Sequence, residues 1–212
     1  MVASLVISSS LFVAVPAYAN TIDGLYNTGV DNLGNALPNG TMGDLHYSLI
    51  ASPQESITTT KIGTAVGGWP IGPWLGDSAQ SAWIGPNTAV FEGPVGDYVY
   101  RTTFSLNRVN PNTASILGRW STDNLGIEIY LNGVRTGHFT NGDFGTWTSF
   151  ALSSGFVSGV NTIDFKLNNG GGPTGLRVEF LSSSVAPVPE PDVYAMLVAG
   201  IGLLGAVARK RR

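Results

Sequence analysis

The chain has 212 residues, 28 of them glycine, with 12% charged side chains and no cysteine. Four of its eleven Lys and Arg close the sequence, so the first 208 residues hold seven basic against fourteen acidic side chains, a formal charge of −7. That balance argues against a nucleic-acid partner, and the missing cysteines exclude a disulfide-stapled scaffold, leaving stability to packing. Abundant glycine with little charge suits a turn-rich, all-β domain.

Residues 2–15 are mostly apolar and small. Ala17-Tyr18-Ala19 follows with the small-x-small pattern of a signal-peptidase site, which makes 1–19 a signal peptide and Asn20 the first mature residue. No Lys or Arg precedes the apolar run, which points to a start upstream of Met1. Residues 20–182 are long enough for one domain with a real core.

Residues 21–43 read as loop, with Gly24, Gly29, Gly34 and Asn39-Gly40 at short intervals. Leu45, Tyr47 and Leu49 alternate and open the strands. Residues 69–83 hold Pro70, Pro73 and three Trp, a density that forbids a helix. From Tyr98 the period is two: Tyr98, Tyr100, Thr102, Phe104 and Leu106 face one side, Val99, Arg101, Thr103 and Ser105 the other. Ile116 and Trp120, then Ile127, Ile129 and Leu131, then Ile163, Phe165 and Leu167, then Leu176, Val178 and Phe180 repeat it. Asn132-Gly133 between residues 127–131 and 134–138 predicts a type I′ hairpin. No stretch before Val193 has a helical period, so the fold class is all-β, a β-sandwich. Residues 183–187 read as a linker.

The last part is Val188-Pro189-Glu190-Pro191, an uncharged run over 193–208, then Arg209-Lys210-Arg211-Arg212. The 16-residue run makes a helix of about 24 Å against a hydrocarbon core of about 30 Å, and the basic end can snorkel toward the far interface. A single transmembrane helix with a cytoplasmic C-terminus is the expectation. The two prolines hold the segment before it extended, a shape that suits a protease cleft.

Val188, Pro189, Glu190 and Pro191, the apolar run and the basic end Arg209, Lys210, Arg211 and Arg212 together resemble the PEP-CTERM sorting signal of Gram-negative bacteria. The resemblance covers residues 188–212. It implies export across the inner membrane, transient anchoring in it, and processing by an exosortase-like enzyme, with the product at the cell surface or outside. The domain carries Tyr26-Asn-Thr-Gly-Val-Asp31, Asp44-Leu-His-Tyr47, Ser81-Ala-Trp-Ile-Gly85, Trp120-Ser-Thr-Asp-Asn124, Leu131-Asn-Gly133, Gly159-Val-Asn-Thr162 and Pro173-Thr-Gly-Leu176. It resembles the jelly-roll domains of many PEP-CTERM proteins, which are similar to galactose-binding-like β-sandwiches.

Catalytic candidates are few. Asp123, Glu128 and Asp143 are the acids a glycosidase pair would draw on, but Asp123 and Asp143 carry turn chemistry and Glu128 lies on a strand's outer face. His46 and His138 lack the further ligands zinc needs. No cofactor is expected, apart from a structural calcium for which Asp23, Asp31 and Asp123 are the weak oxygen-ligand candidates. Trp83, Trp120 and Trp147 read as core. Trp69 and Trp74, in the Pro/Gly-rich loop, are the candidates for stacking on a sugar. The function expected is a non-catalytic surface or matrix protein associated with exopolysaccharide or biofilm. The alternative is a carbohydrate-binding module with an extracellular polysaccharide as partner, and a polysaccharide-acting enzyme ranks below both.

Overall fold

The computed structural model describes residues 19–63, 70, 72–86, 93–188 and 191–210, of which 191–196 by backbone only. The signal peptide through Tyr18, Trp69, Pro189, Glu190, Arg211 and Arg212 lie outside the described residues. The strands are β1 (Tyr47–Ala51), β2 (Thr60–Ile62), β3 (Ile84–Pro86), β4 (Gly96–Ser105), β5 (Val109–Asp123), β6 (Leu125–Leu131), β7 (Val134–Arg135), β8 (Thr148–Leu152), β9 (Val160–Asn169) and β10 (Gly175–Pro187), followed by helix α1 (Pro191–Lys210).

Two five-stranded antiparallel sheets form, ordered β1-β4-β9-β6-β7 and β2-β3-β10-β5-β8. The sandwich follows from the period-two pattern. Tyr98, Tyr100, Thr102, Phe104 and Leu106 are all at most 4% exposed, because successive side chains of a strand point to opposite faces. Ile163, Phe165, Leu167, Leu176, Val178, Ile116 and Trp120 are 0% exposed. Phe165 of the first sheet meets Trp120 and Phe150 of the second at ring-centroid distances of 5.8 and 6.0 Å, so aromatic packing joins the layers.

Several expectations shift. Leu45 is 58% exposed and precedes β1, whose Tyr47 and Leu49 are buried. The Asn132-Gly133 turn has the positive φ values expected, 51° and 78°; the regular part of β7 stops after two residues, yet the chain stays beside β6 past Gly137, with Thr136 N donating to Ile129 O and Ile129 N to His138 O, each at 3.0 Å. Ile127 is only half-buried because the β6–β9 register slips between Gly126 and Glu128.

Residues 183–187 are no linker. They complete β10, with Ser183, Ser184, Ala186 and Pro187 opposite Ile116, Ser115, Asn110 and Val109. Pro191 does not lie before the helix but begins it, at the position where a missing N–H costs nothing. The described side chains of α1, from Leu197 on, are all exposed, and Arg209 and Lys210 sit in the last turn, where cations suit the helix dipole. Among the described residues no helix is long and apolar enough to cross a membrane.

Candidate functional site

The register of β10 gives the sandwich two ends. Gly175 opposes Asp123 at one, and Pro187 opposes Val109 at the other, next to the tail. Thirteen residues at ~3.3 Å each separate the ends by roughly 40 Å. The end away from the tail gathers the loops around residues 72–83, 123–125 and 140–147.

Trp74 sits there, but not as an exposed platform. It is 8% exposed, with its ring 4.4 Å from that of Trp83 and 5.9 Å from that of Phe144. Its side chain hydrogen-bonds the Asp123 carboxyl, which also accepts from Asn124 Nδ2 at 2.6 Å. Asp123 is 3% exposed, and burial pushes its carboxyl up to about 6 against the pull of those two donors. Asn124 Oδ1 accepts from Gly170 N at 2.7 Å, and Thr174 Oγ1 donates to Asp123 O at 2.7 Å, so these loops are tied into one unit.

A second cluster covers the outer face of the second sheet. Arg177 donates to Ser81 Oγ and O, Ser78 Oγ, and the Leu75 and Gly76 carbonyls. That arginine pins the 75–81 loop onto β10. Glu179 accepts from Ser81 Oγ at 2.6 Å and from Arg119 at 2.6 and 2.8 Å. Burial works against the Glu179 carboxylate, yet these donors hold it below the ordinary range. Above the arginines lies Trp147, half-buried, with the guanidinium carbons of Arg119 and Arg177 4.5 and 5.0 Å from its ring centroid. Both are cation–π distances. Trp147 is therefore not the core residue its place before a strand suggested. Nothing in its own neighbourhood of sequence signals this, since both arginines come from other strands.

The outer face of the first sheet is polar and paired. Ser48, Arg101, Asp164, Tyr130 and Arg135 are register neighbours across five strands. Arg101 holds Asp164 through two bonds of 2.6 and 2.7 Å. Glu128, read as lying on an open outer face, is 2% exposed and accepts from Arg135 Nε and Gly137 N, each at 2.8 Å. A cavity of ≈ 290 Å³ opens between the β6–β7 hairpin and residues 151–155. Its lining includes Arg135, Ser153 and Ser154 but no carboxylate and no aromatic ring.

The calcium candidates do not meet. Asp31 closes its own turn, accepting from Leu33 N and Asn35 N at 2.8 and 2.9 Å. Among the described residues no group of three His, Asp or Glu side chains converges. His46 stacks flat on Tyr26 at 3.6 Å, and His138 Nε2 lies 2.9 Å from the Ala151 carbonyl.

Of the signal-cleavage residues, Ala17 lies outside the described chain, Ala19 is exposed, and Asn20 exchanges two backbone hydrogen bonds with Val185. Of the sorting residues, Val188 is 51% exposed and its N–H donates to the Arg108 carbonyl at 3.2 Å.

Among curated proteins none matches the chain. Among solved structures, CBM35 from Paenibacillus barcinonensis is similar at TM-score 0.37 and 15% sequence identity, over 68% of this chain and 98% of that one. A likeness of that size says nothing about what this chain binds. The tail gives a direct assignment: residues 187–212 match the PEP-CTERM protein-sorting motif, and the chain carries that sorting signal directly after a two-sheet β-sandwich.

Proposed function

We propose that this chain is a non-catalytic exported protein, anchored transiently in the inner membrane, processed at its PEP-CTERM signal by an exosortase-like enzyme, and so passed on to the cell surface or extracellular matrix. The single observation that carries the reading is the sorting motif at 187–212, continuous with an all-β domain. An apolar helix whose described side chains are all exposed suits a lipid environment before processing. The buried acids Glu128, Asp164 and Glu179 are each paired with an arginine, which supports a role other than acid–base chemistry. Association with exopolysaccharide or biofilm is part of the same proposal.

The test is the intact mass of the native protein from medium and from membranes. A species lacking residues 1–19 and the tail after the Pro-Glu-Pro region is the expected result. A membrane species still carrying Arg209 through Arg212 as the end product would reduce the tail to an anchor. Pro189→Ala and Glu190→Ala should each leave the domain folded, stop processing and hold the protein in the inner membrane.

A second reading, carbohydrate binding, is favoured by one observation: Trp147 lies half-exposed over two arginines that fix its ring. A rigid aromatic face is what the C–H faces of a sugar stack on. Trp147, rather than the buried Trp74, carries that reading.

A further inference from the structure

The strand that leads into the sorting signal is occupied along both edges. On one side it pairs with β5, where Ala186 N donates to Thr113 Oγ1 at 2.9 Å and Val188 N to the Arg108 carbonyl at 3.2 Å. On the other side the mature N-terminus lies against it. Asn20 N donates to Val185 O and Val185 N to Asn20 O, each at 2.8 Å, and Ile22 N donates to Ser183 Oγ at 3.0 Å. The clasp is anchored in the core, since Ile22 and Val185 are 5% and 2% exposed. Only Val188, Pro189 and Glu190 separate the end of β10 from the start of α1.

Peptidase clefts bind their substrates extended and hydrogen-bond the chain on the acyl side of the cut as an added strand. A backbone already paired on both edges cannot make those bonds. Three residues reach at most ~11 Å even fully extended, so a cleft that holds a longer extended run must draw on the end of β10.

We propose that residues 183–187 of β10, clasped by residues 20–22, gate the processing of the tail: the strand end must peel from β5 and from the N-terminal segment before the sorting motif can be cut. This rests on the sorting reading above. The cut itself breaks one peptide bond, its acyl half passing to water or to an acceptor amine and the freed amine staying on the tail. The clasp does not change that chemistry. It sets how often the substrate is presented, through a local opening equilibrium.

A disulfide lock tests the gate in the full-length chain expressed in its own host. Ser115 and Ser184 are register partners whose hydroxyl oxygens lie 2.9 Å apart, so their side chains can be bridged across the strands. Ser115→Cys with Ser184→Cys adds the chain's only two thiols, in an oxidising compartment. Pulse–chase of the processed fraction should show the oxidised form slowed about tenfold or more, because release then requires opening of the sandwich itself, and reduction with dithiothreitol should restore the wild-type rate. Processing of the oxidised form at the wild-type rate overturns the gate. Should the double variant not fold, eight Gly/Ser residues inserted between Pro187 and Val188 give the second arm. Processing should then speed up several-fold as the cleft no longer competes with the sheet, and an unchanged rate overturns the proposal. Glu190→Ala separates this from the reading beneath it. If that variant is still processed, the sorting reading fails; if it is blocked while lock and insertion do nothing, only the gate fails.

Discussion

Arg177 and Glu179 lie two residues apart on one face of β10 and are both buried, their side chains 3% and 7% exposed and their charged atoms 3.6 Å apart. A β-strand places such neighbours on its outer face, and here the 75–81 loop seals them in. Removing one member leaves the other charge uncompensated. Arg177→Ala should destabilise the domain by about 3–5 kcal/mol. Arg177→Lys should recover only part of that, since an ammonium cannot reproduce the fork of donors that holds Ser78, Ser81, Leu75 and Gly76. Urea unfolding midpoints check both, and a loss within 1 kcal/mol for the alanine variant would show that the loop is not pinned by this residue.

Asp123 ties stability to pH in the direction opposite to most carboxyls. Burial raises its carboxyl from 3.8 to about 6. The folded state thus binds its proton more tightly than the unfolded chain, and the contribution to stability is full below pH 3.8 and lost as pH rises through about 6. The swing is up to about 3 kcal/mol. Asp123→Asn removes it, so the melting temperature of the variant relative to wild type should climb between pH 4 and pH 7. A difference that stays flat over that range would show that the carboxyl does not titrate there.

Trp74 and Trp147 should respond in opposite ways to the same change. Trp74→Ala empties a buried site against Trp83 and Phe144 and should cost about 3–5 kcal/mol. Trp147→Ala removes a half-exposed ring and should leave the fold standing, with a loss of about 1–2 kcal/mol from its two cation–π contacts. If the domain binds exopolysaccharide from its host, Trp147→Ala should weaken retention on that polymer about tenfold, equal to about 1.4 kcal/mol. Unaltered retention would remove Trp147 as a platform.

Phe104 tests the orientation of β4. It is 4% exposed and meets Phe156 edge-on at 6.2 Å. Phe104→Ala should cost about 3–5 kcal/mol, measured by chemical denaturation.

The strands were legible in the sequence wherever one face is core and the other is water. Residues 98–106 show this, because alternation then maps directly onto burial. Reading failed where a third layer intervenes. Arg177 and Glu179 obey the alternation, yet the distant loop at 75–81 covers them, and Glu128 is covered by Arg135 and Gly137 of its own hairpin; period two carries no record of either covering. Trp147 was misplaced for the same reason, its partners being 28 and 30 residues away in sequence. The end of β10 was misread because Ser182-Ser183-Ser184 and the prolines beyond have linker composition. Its pairing is fixed instead by β5 and by Asn20, which local composition cannot report. The sorting tail was legible because its function lies in the order of its parts, a property of sequence itself.

The long axis set by β10 also fixes a direction. The tail leaves from one end of that strand, while Asp123 and its neighbouring loops stand at the other, roughly 40 Å away. A molecule held at its tail, by a bilayer or by whatever receives it after cutting, is therefore gripped at one end of its longest strand, and the Asp123 loops are the part of that strand's length farthest from the grip.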